Sequence, residues 1–92
     1  MAETRAVHVL ISGFVQGVGF RVWAERQANA LGLSGWVRNT ADGDVEAVFS
    51  GPAAAVERML AVCKEGPRNS RVESVEILGP AGEASGSFMI RY

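Results

Sequence analysis

Three glycines and an arginine fall within the nine residues Gly13-Phe14-Val15-Gln16-Gly17-Val18-Gly19-Phe20-Arg21, a stretch suited to holding an anion. Glycine lets backbone N–H groups turn toward a ligand with no Cβ in the way. The first turn of a helix adds unpaired N–H groups and the positive end of a dipole. Arg21 contributes a full positive charge where a cation is otherwise disfavoured, since basic side chains belong in the last helical turn. A bound phosphate or carboxylate removes that conflict. Two plainer readings stand beside this one. The glycines can serve only as a tight turn for helix packing, and Arg21 can pair with Glu25 four residues on, which is worth about 0.3–0.5 kcal/mol and is here in the poorer order. The segment fits neither common nucleotide pattern. No Gly-Lys-Ser/Thr follows, and Val22 stands where the third glycine of Gly17-x-Gly19-x-x-Gly belongs.

The elements around this loop follow from periodicity. Ala6 to Ser12 alternates, with Val7, Val9 and Ile11 on one side and His8, Leu10 and Ser12 on the other, which predicts a strand running into the loop. Phe20, Trp23, Ala24, Ala28 and Leu31 recur at helical spacing, with Gly32 as the stop. Leu33 to Thr40 reads as a second strand, Asp42-Gly43 as a hairpin turn, and Val45 to Ser50 as a third strand with Val45, Ala47 and Phe49 on one face. Pro52 is placed in the first turn of a second helix, whose apolar stripe is Val56, Met59, Leu60 and Cys63, ended by Gly66-Pro67. Val72, Val75 and Ile77 mark a fourth strand, followed by a Gly79-Pro80-Ala81-Gly82 loop. Phe88, Ile90 and Tyr92 alternate in a short fifth segment.

The order β-α-β-β-α-β plus a terminal strand predicts the α+β ferredoxin-like split βαβ sandwich, with two helices on one face of a mostly antiparallel sheet of four or five strands. In that topology the first two strands are parallel with the third between them, so their C-terminal ends share one edge. The glycine loop then lies near Arg38, Asn39 and Thr40. Taken alone, Asn39 before an Asp/Gly turn reads as an Asn that caps its own backbone; proximity to the loop raises a catalytic role.

Other residues that could do chemistry carry less. Cys63 belongs to the helical stripe and reads as core, and Asn69 occupies the position where a Cys-x5-Arg phosphatase loop needs arginine. His8 lies mid-strand and reads as solvent-facing or packed. Asp42, Asp44 and Glu46 lie along a hairpin rather than at the spacing of a metal loop.

Ninety-two residues, 48% of them hydrophobic, suffice for one domain over 1–92 that buries somewhat over roughly 60% of its unfolded surface. No apolar run approaches the ~20 residues of a membrane span, and no signal-peptide core follows Met1 to Arg5. One cysteine and one histidine make neither an internal disulfide nor a structural zinc site. These features predict a cytoplasmic protein with no structural zinc site. A net charge of −1 with no block of like charge offers little field for tracking nucleic acid, and Phe49 faces the core side with Val45 and Ala47 rather than an RNA-binding face. The expected partner is a small anion; neither nucleic acid nor a membrane is expected.

Two segments together, Gly13-Phe14-Val15-Gln16-Gly17-Val18-Gly19-Phe20-Arg21 and Gly35-Trp36-Val37-Arg38-Asn39, resemble the paired signature motifs of acylphosphatases. The similarity extends through Asp42-Gly43-x-Val45-Glu46, Gly51-Pro52, Ser70-Arg71-Val72 and the closing Phe88-x-Ile90-Arg91-Tyr92. The resemblance implies a stand-alone, monomeric hydrolase that splits small acyl phosphates into a carboxylate and inorganic phosphate without a metal. By motif position, Arg21 and the amides of Val15, Gln16, Gly17, Val18, Gly19 and Phe20 would hold the phosphate, and Asn39 would position the attacking water. The resemblance implies that inorganic phosphate, as product, would also occupy this site. One position departs from the pattern: a hydroxyl residue found in some members three positions after the arginine is Ala24 here. Three other functions compete with this one: a non-enzymatic anion sensor, an RNA-recognition module of the same fold, and a hydrolase whose natural substrate is carbamoyl phosphate.

Overall fold

Alternation in the first segment produces a long strand, β1 (Thr4–Phe14), with Val7, Val9 and Ile11 buried and the intervening residues on the opposite face. The computed structural model describes residues 3–92, so the first two residues of the domain expected over 1–92 lie outside the described residues. After β1 come α1 (Phe20–Ala30), β2 (Ser34–Asn39), β3 (Val45–Pro52), α2 (Ala53–Cys63), β4 (Arg71–Pro80) and β5 (Met89–Ile90). The strands form one sheet in the order β4-β1-β3-β2-β5. Pairings of β1 with β3 and β4, and of β2 with β3, are antiparallel; β2 and β5 pair in parallel. This is the mixed five-stranded sheet with two helices expected from the element order.

The helices cover one face because their apolar stripes match it. Phe20, Ala24 and Ala28 are buried from α1, and Val56, Met59, Leu60 and Cys63 from α2. They meet Val45, Ala47 and Phe49 of β3 and Val37 of β2. Phe49 stacks on Phe88 with ring centroids 5.5 Å apart, and Phe20 packs tilted against Trp23 at 5.2 Å. Each large apolar side chain fully removed from water contributes roughly 1.5–3 kcal/mol; the Phe20–Trp23 pair packs where α1 begins, and the Phe49–Phe88 stack lies toward the other end of the sheet, near Gly35 at the start of β2.

Several local expectations shift. Pro52 closes β3 and stands just before α2 with ψ 136°, which is extended rather than helical. Gly79 and Pro80 continue β4, paired with His8 and Val7, rather than forming a loop. Ile77 is 47% exposed although it faces the helix side, because β4 is an edge strand that α2 overhangs only in part. At the C-terminus the strand is two residues long. Phe88 is buried just before it, while Tyr92 is fully exposed rather than alternating inward. No helix among the described residues is long and apolar enough to cross a membrane.

Candidate active site

Parallel β1 and β2, separated by β3, end on the same edge of the sheet, and the loop after β1 turns directly into α1 there. Gly17 and Gly19 have φ of 73° and 78°, the left-handed region that costs residues with a Cβ about 1–2 kcal/mol. Gly19 takes the N-cap position with no side-chain cap, and the first helical bond runs from Trp23 N–H to its carbonyl at 3.0 Å. From Val15 to Val22 no backbone N–H donates to a protein acceptor among the described residues. These amides therefore remain available to a ligand, and α1 has no acidic residue in its first turn to compete for them.

A cleft of about 100 Å³ opens at this point, lined by Val15, Gly17, Gly19, Phe20, Arg21, Val22 and Asn39. Arg21 from α1 and Asn39 from the last position of β2 thus share one small cavity. Neither plainer reading of these side chains matches their surroundings. Among the described residues Arg21 forms no ion pair with Glu25 or any other carboxylate; its guanidinium lies over the ring of Tyr92, 4.9 Å from the centroid. The turn after Asn39 is tied by Thr40, whose Oγ1 accepts from Asp44 N–H at 3.1 Å and whose N–H donates to the Asp44 carbonyl at 2.9 Å. The Asn39 carboxamide has no hydrogen-bond partner in the protein among the described residues, and the residue is half-buried at the cleft.

The other residues assigned to the loop differ in placement. Gln16 and Val18 do not line the cleft, whereas Val22, absent from the sequence assignment, does. The Gln16 side chain turns away and donates through Nε2 to the carbonyls of Thr40 and Asp44, both at 2.8 Å. It works as a strut between the loop and the β2–β3 turn. The C-terminal segment is clamped in a similar way: Phe88 N–H donates to Asn29 Oδ1 at 2.8 Å, Asn29 Nδ2 donates to the Phe88 carbonyl at 3.2 Å, and Arg91 N–H donates to the Val37 carbonyl at 2.8 Å. That clamp carries Tyr92 to Arg21. Nothing local in the sequence marks either contact, since both join segments distant along the chain.

The family model for acylphosphatase matches residues 7–90. An acylphosphatase of Roseiflexus sp. (strain RS-1) is 48% identical over 92 residues, with 98% of this chain and 99% of that protein covered. The chain belongs to the acylphosphatase family.

As an acylphosphatase the protein is an enzyme of the hydrolase class. Two solved members share its ferredoxin-like fold. A Coxiella burnetii acylphosphatase superposes with a TM-score of 0.90 at 35% identity, covering 96% of this chain and 93% of that one. The Bacillus subtilis acylphosphatase gives 0.88 at 32% identity, covering 98% and 100%.

Groups set aside in the sequence lie apart from this cleft. Cys63 is fully buried in the core, and burial pushes its thiol up to about 12. His8 sits on the uncovered sheet face, its Nε2 2.5 Å from a Glu46 carboxylate oxygen. Among the described residues no three His, Cys, Asp or Glu side chains converge to hold a metal.

Proposed function

We propose that this enzyme hydrolyses small acyl phosphates to a carboxylate and inorganic phosphate without a metal. Arg21 and the amides of the Val15–Phe20 loop hold the phosphate, and Asn39 positions the attacking water. The observation that carries this reading is the convergence of Arg21, unpaired amides and an unpartnered Asn39 carboxamide on one cleft. A guanidinium can bind two phosphate oxygens at once, and the left-handed glycines turn main-chain donors toward the same anion. Among the described residues no carboxylate lines the cleft, so a divalent cation would find no hard anionic ligand there.

The chemistry asks for little more. Phosphoryl transfer through a loose transition state depends on positioning and charge stabilisation. The water oxygen forms the new bond to phosphorus as the acyl oxygen departs with its electron pair. The leaving group is a carboxylate whose conjugate acid has a pKa of about 4, so no general acid is required. Asn39 accepts or donates one hydrogen bond to hold the water in line, and the water's proton passes to a phosphate oxygen. Ala24, fully buried on α1, contributes no hydroxyl to this arrangement; the two principal side chains carry it.

The same reading makes inorganic phosphate a competitive inhibitor, and describes a monomer acting as one domain over 1–92 in the cytoplasm, with neither nucleic-acid nor membrane partner. It is supported by the near-neutral charge and by a lone cysteine suited to a reducing compartment.

Steady-state hydrolysis of benzoyl, acetyl and carbamoyl phosphate, with and without EDTA, tests the assignment. Arg21→Lys is expected to abolish saturable phosphate binding. Asn39→Ala should keep inhibition by phosphate while turnover falls by about 10²-fold or more. Equal loss of binding in both variants contradicts the division of roles, and loss of turnover in EDTA contradicts metal independence. Tight binding with no phosphate released would make the protein an anion sensor.

A further inference from the structure

The face of the sheet away from the helices carries a second, larger cavity of about 270 Å³, lined by His8, Trp36, Arg38, Glu46, Val48, Pro80, Ala81 and Arg91. Its composition is unlike a plain solvated sheet face. Trp36 lies half-buried with the guanidinium of Arg91 4.9 Å from its ring centroid and that of Arg38 at 5.6 Å. The His8 ring is tilted against it at 6.2 Å. Val48, Pro80 and Ala81 supply apolar wall.

The charges in the cavity are unequally matched. Glu46, whose side chain is only 14% exposed, accepts from Arg38 Nε at 2.6 Å and lies 2.5 Å from His8 Nε2. Both neighbours are committed to that one carboxylate. Arg91 forms no ion pair among the described residues, and its guanidinium stays exposed. Two guanidiniums therefore face one carboxylate, and the unmatched cation stands beside an aromatic ring.

We propose that this cavity is a second binding site, separate from the catalytic cleft, for a small ligand that joins a flat aromatic ring to an anionic group. The ring lies against the Trp36 indole and the planar guanidiniums, a sequence-tolerant stacking contact, while the anionic group pairs with Arg91. Two sources supply this chemistry: an aromatic carboxylate or a mononucleotide. A nucleic-acid strand fits less well, because it needs a track of cations and several stacking platforms, and here one unpaired cation serves a single concavity. The sequence argued against an RNA-binding face on the strength of the inward-facing Phe49 and the net charge. The ring that faces outward is Trp36, and the local charge is opposite in sign to the total.

Trp23 and Trp36 are the only tryptophans, so two indole N–H signals report the two faces of the sheet separately by NMR. Titration of the full chain with adenosine monophosphate, benzoate and inorganic phosphate is expected to move the Trp36 signal saturably with one or both aromatic ligands. Inorganic phosphate should leave that signal in place. Arg91→Gln, at an exposed position, should weaken the aromatic ligand by about tenfold, the loss of one charge-assisted contact, with acetyl phosphate turnover unchanged. Adenosine monophosphate alone identifies a nucleotide site, and benzoate alone a carboxylate site. Three results overturn the proposal: no Trp36 shift with either aromatic ligand at millimolar concentration, equal response to inorganic phosphate, or an oligonucleotide binding far more tightly than the mononucleotide.

Discussion

Gln16 is the residue whose replacement tests most directly how the two halves of the cleft are held in register. Its Nε2 donates 2.8 Å hydrogen bonds to the carbonyls of Thr40 and Asp44, so it fastens the loop that bears the unpaired amides to the turn that follows Asn39. In Gln16→Ala both carbonyls keep other donors, Gly43 N–H for Thr40 at 3.3 Å and Thr40 N–H for Asp44 at 2.9 Å. No acceptor is orphaned, so the loss is the net worth of two neutral hydrogen bonds, about 2 kcal/mol in all. For a domain of this size that corresponds to a fall of roughly 8–16 °C in Tm. Arg21 and the amides belong to one continuous loop and helix start and move together, whereas Asn39 sits on β2 beyond the strut. A displacement of about 1 Å between reacting groups can cost 10²-fold. The expected pattern in a benzoyl phosphate assay, run well below the melting range, is a kcat reduced by roughly 10- to 100-fold with the inhibition constant for phosphate changed little. Gln16→Glu, which sets a carboxylate against the same carbonyls, should fall further. Unchanged kcat alongside the lower Tm would show that the strut stabilises the fold without aligning the site. Parallel loss of phosphate affinity would show that the amide cradle itself depends on it.

Three more outcomes follow from the packing and the titrating groups. A Cβ at Gly35 would lie 1.9 Å from the Val48 carbonyl oxygen, so Gly35→Ala should cost roughly 4 kcal/mol or more in urea unfolding, whereas Gly17→Ala, in open space, should cost about 1–2 kcal/mol from its left-handed φ alone. With its thiol pushed up to about 12 by burial, Cys63 should resist a thiol reagent at pH 8 until the chain is denatured; stoichiometric labelling of the native protein would contradict the packing of α2. Burial alone raises the Glu46 carboxyl, but hydrogen bonds and charges from His8 and Arg38 outweigh it and hold the group below its ordinary value of 4.5. A depressed carboxyl stabilises the fold above its unfolded value and ceases to do so as pH falls through the folded one. Glu46→Gln should therefore cost about 1 kcal/mol at pH 7, and the difference from the parent should shrink below pH ~4; a constant difference would contradict the assigned pairing.

Much of the end that bears the candidate cleft was legible in the sequence because its signals are local. Alternation at Val7, Val9 and Ile11, the stripe of Val56, Met59, Leu60 and Cys63, and glycines placed between a strand and a helix each reflect the geometry of a few consecutive residues. The element order even placed Asn39 beside the loop, since a right-handed crossover leaves few ways to arrange parallel β1 and β2 around β3. Ile77 and Pro52 departed from expectation where an edge strand and a strand-to-helix junction override the local pattern.

The order of strands and helices, most of their apolar faces, and a glycine loop with Arg21 able to receive an anion can be read from the residues in line. Only the folded chain shows that Gln16 turns outward as a strut, that Tyr92 reaches Arg21, and that Trp36, Arg38, Glu46, His8 and Arg91 form one charged aromatic cavity. The division has a physical cause. Periodicity is written in neighbouring residues, but a contact between strands depends on register and order. Those are set by closing the whole core at once, and no single segment contains them.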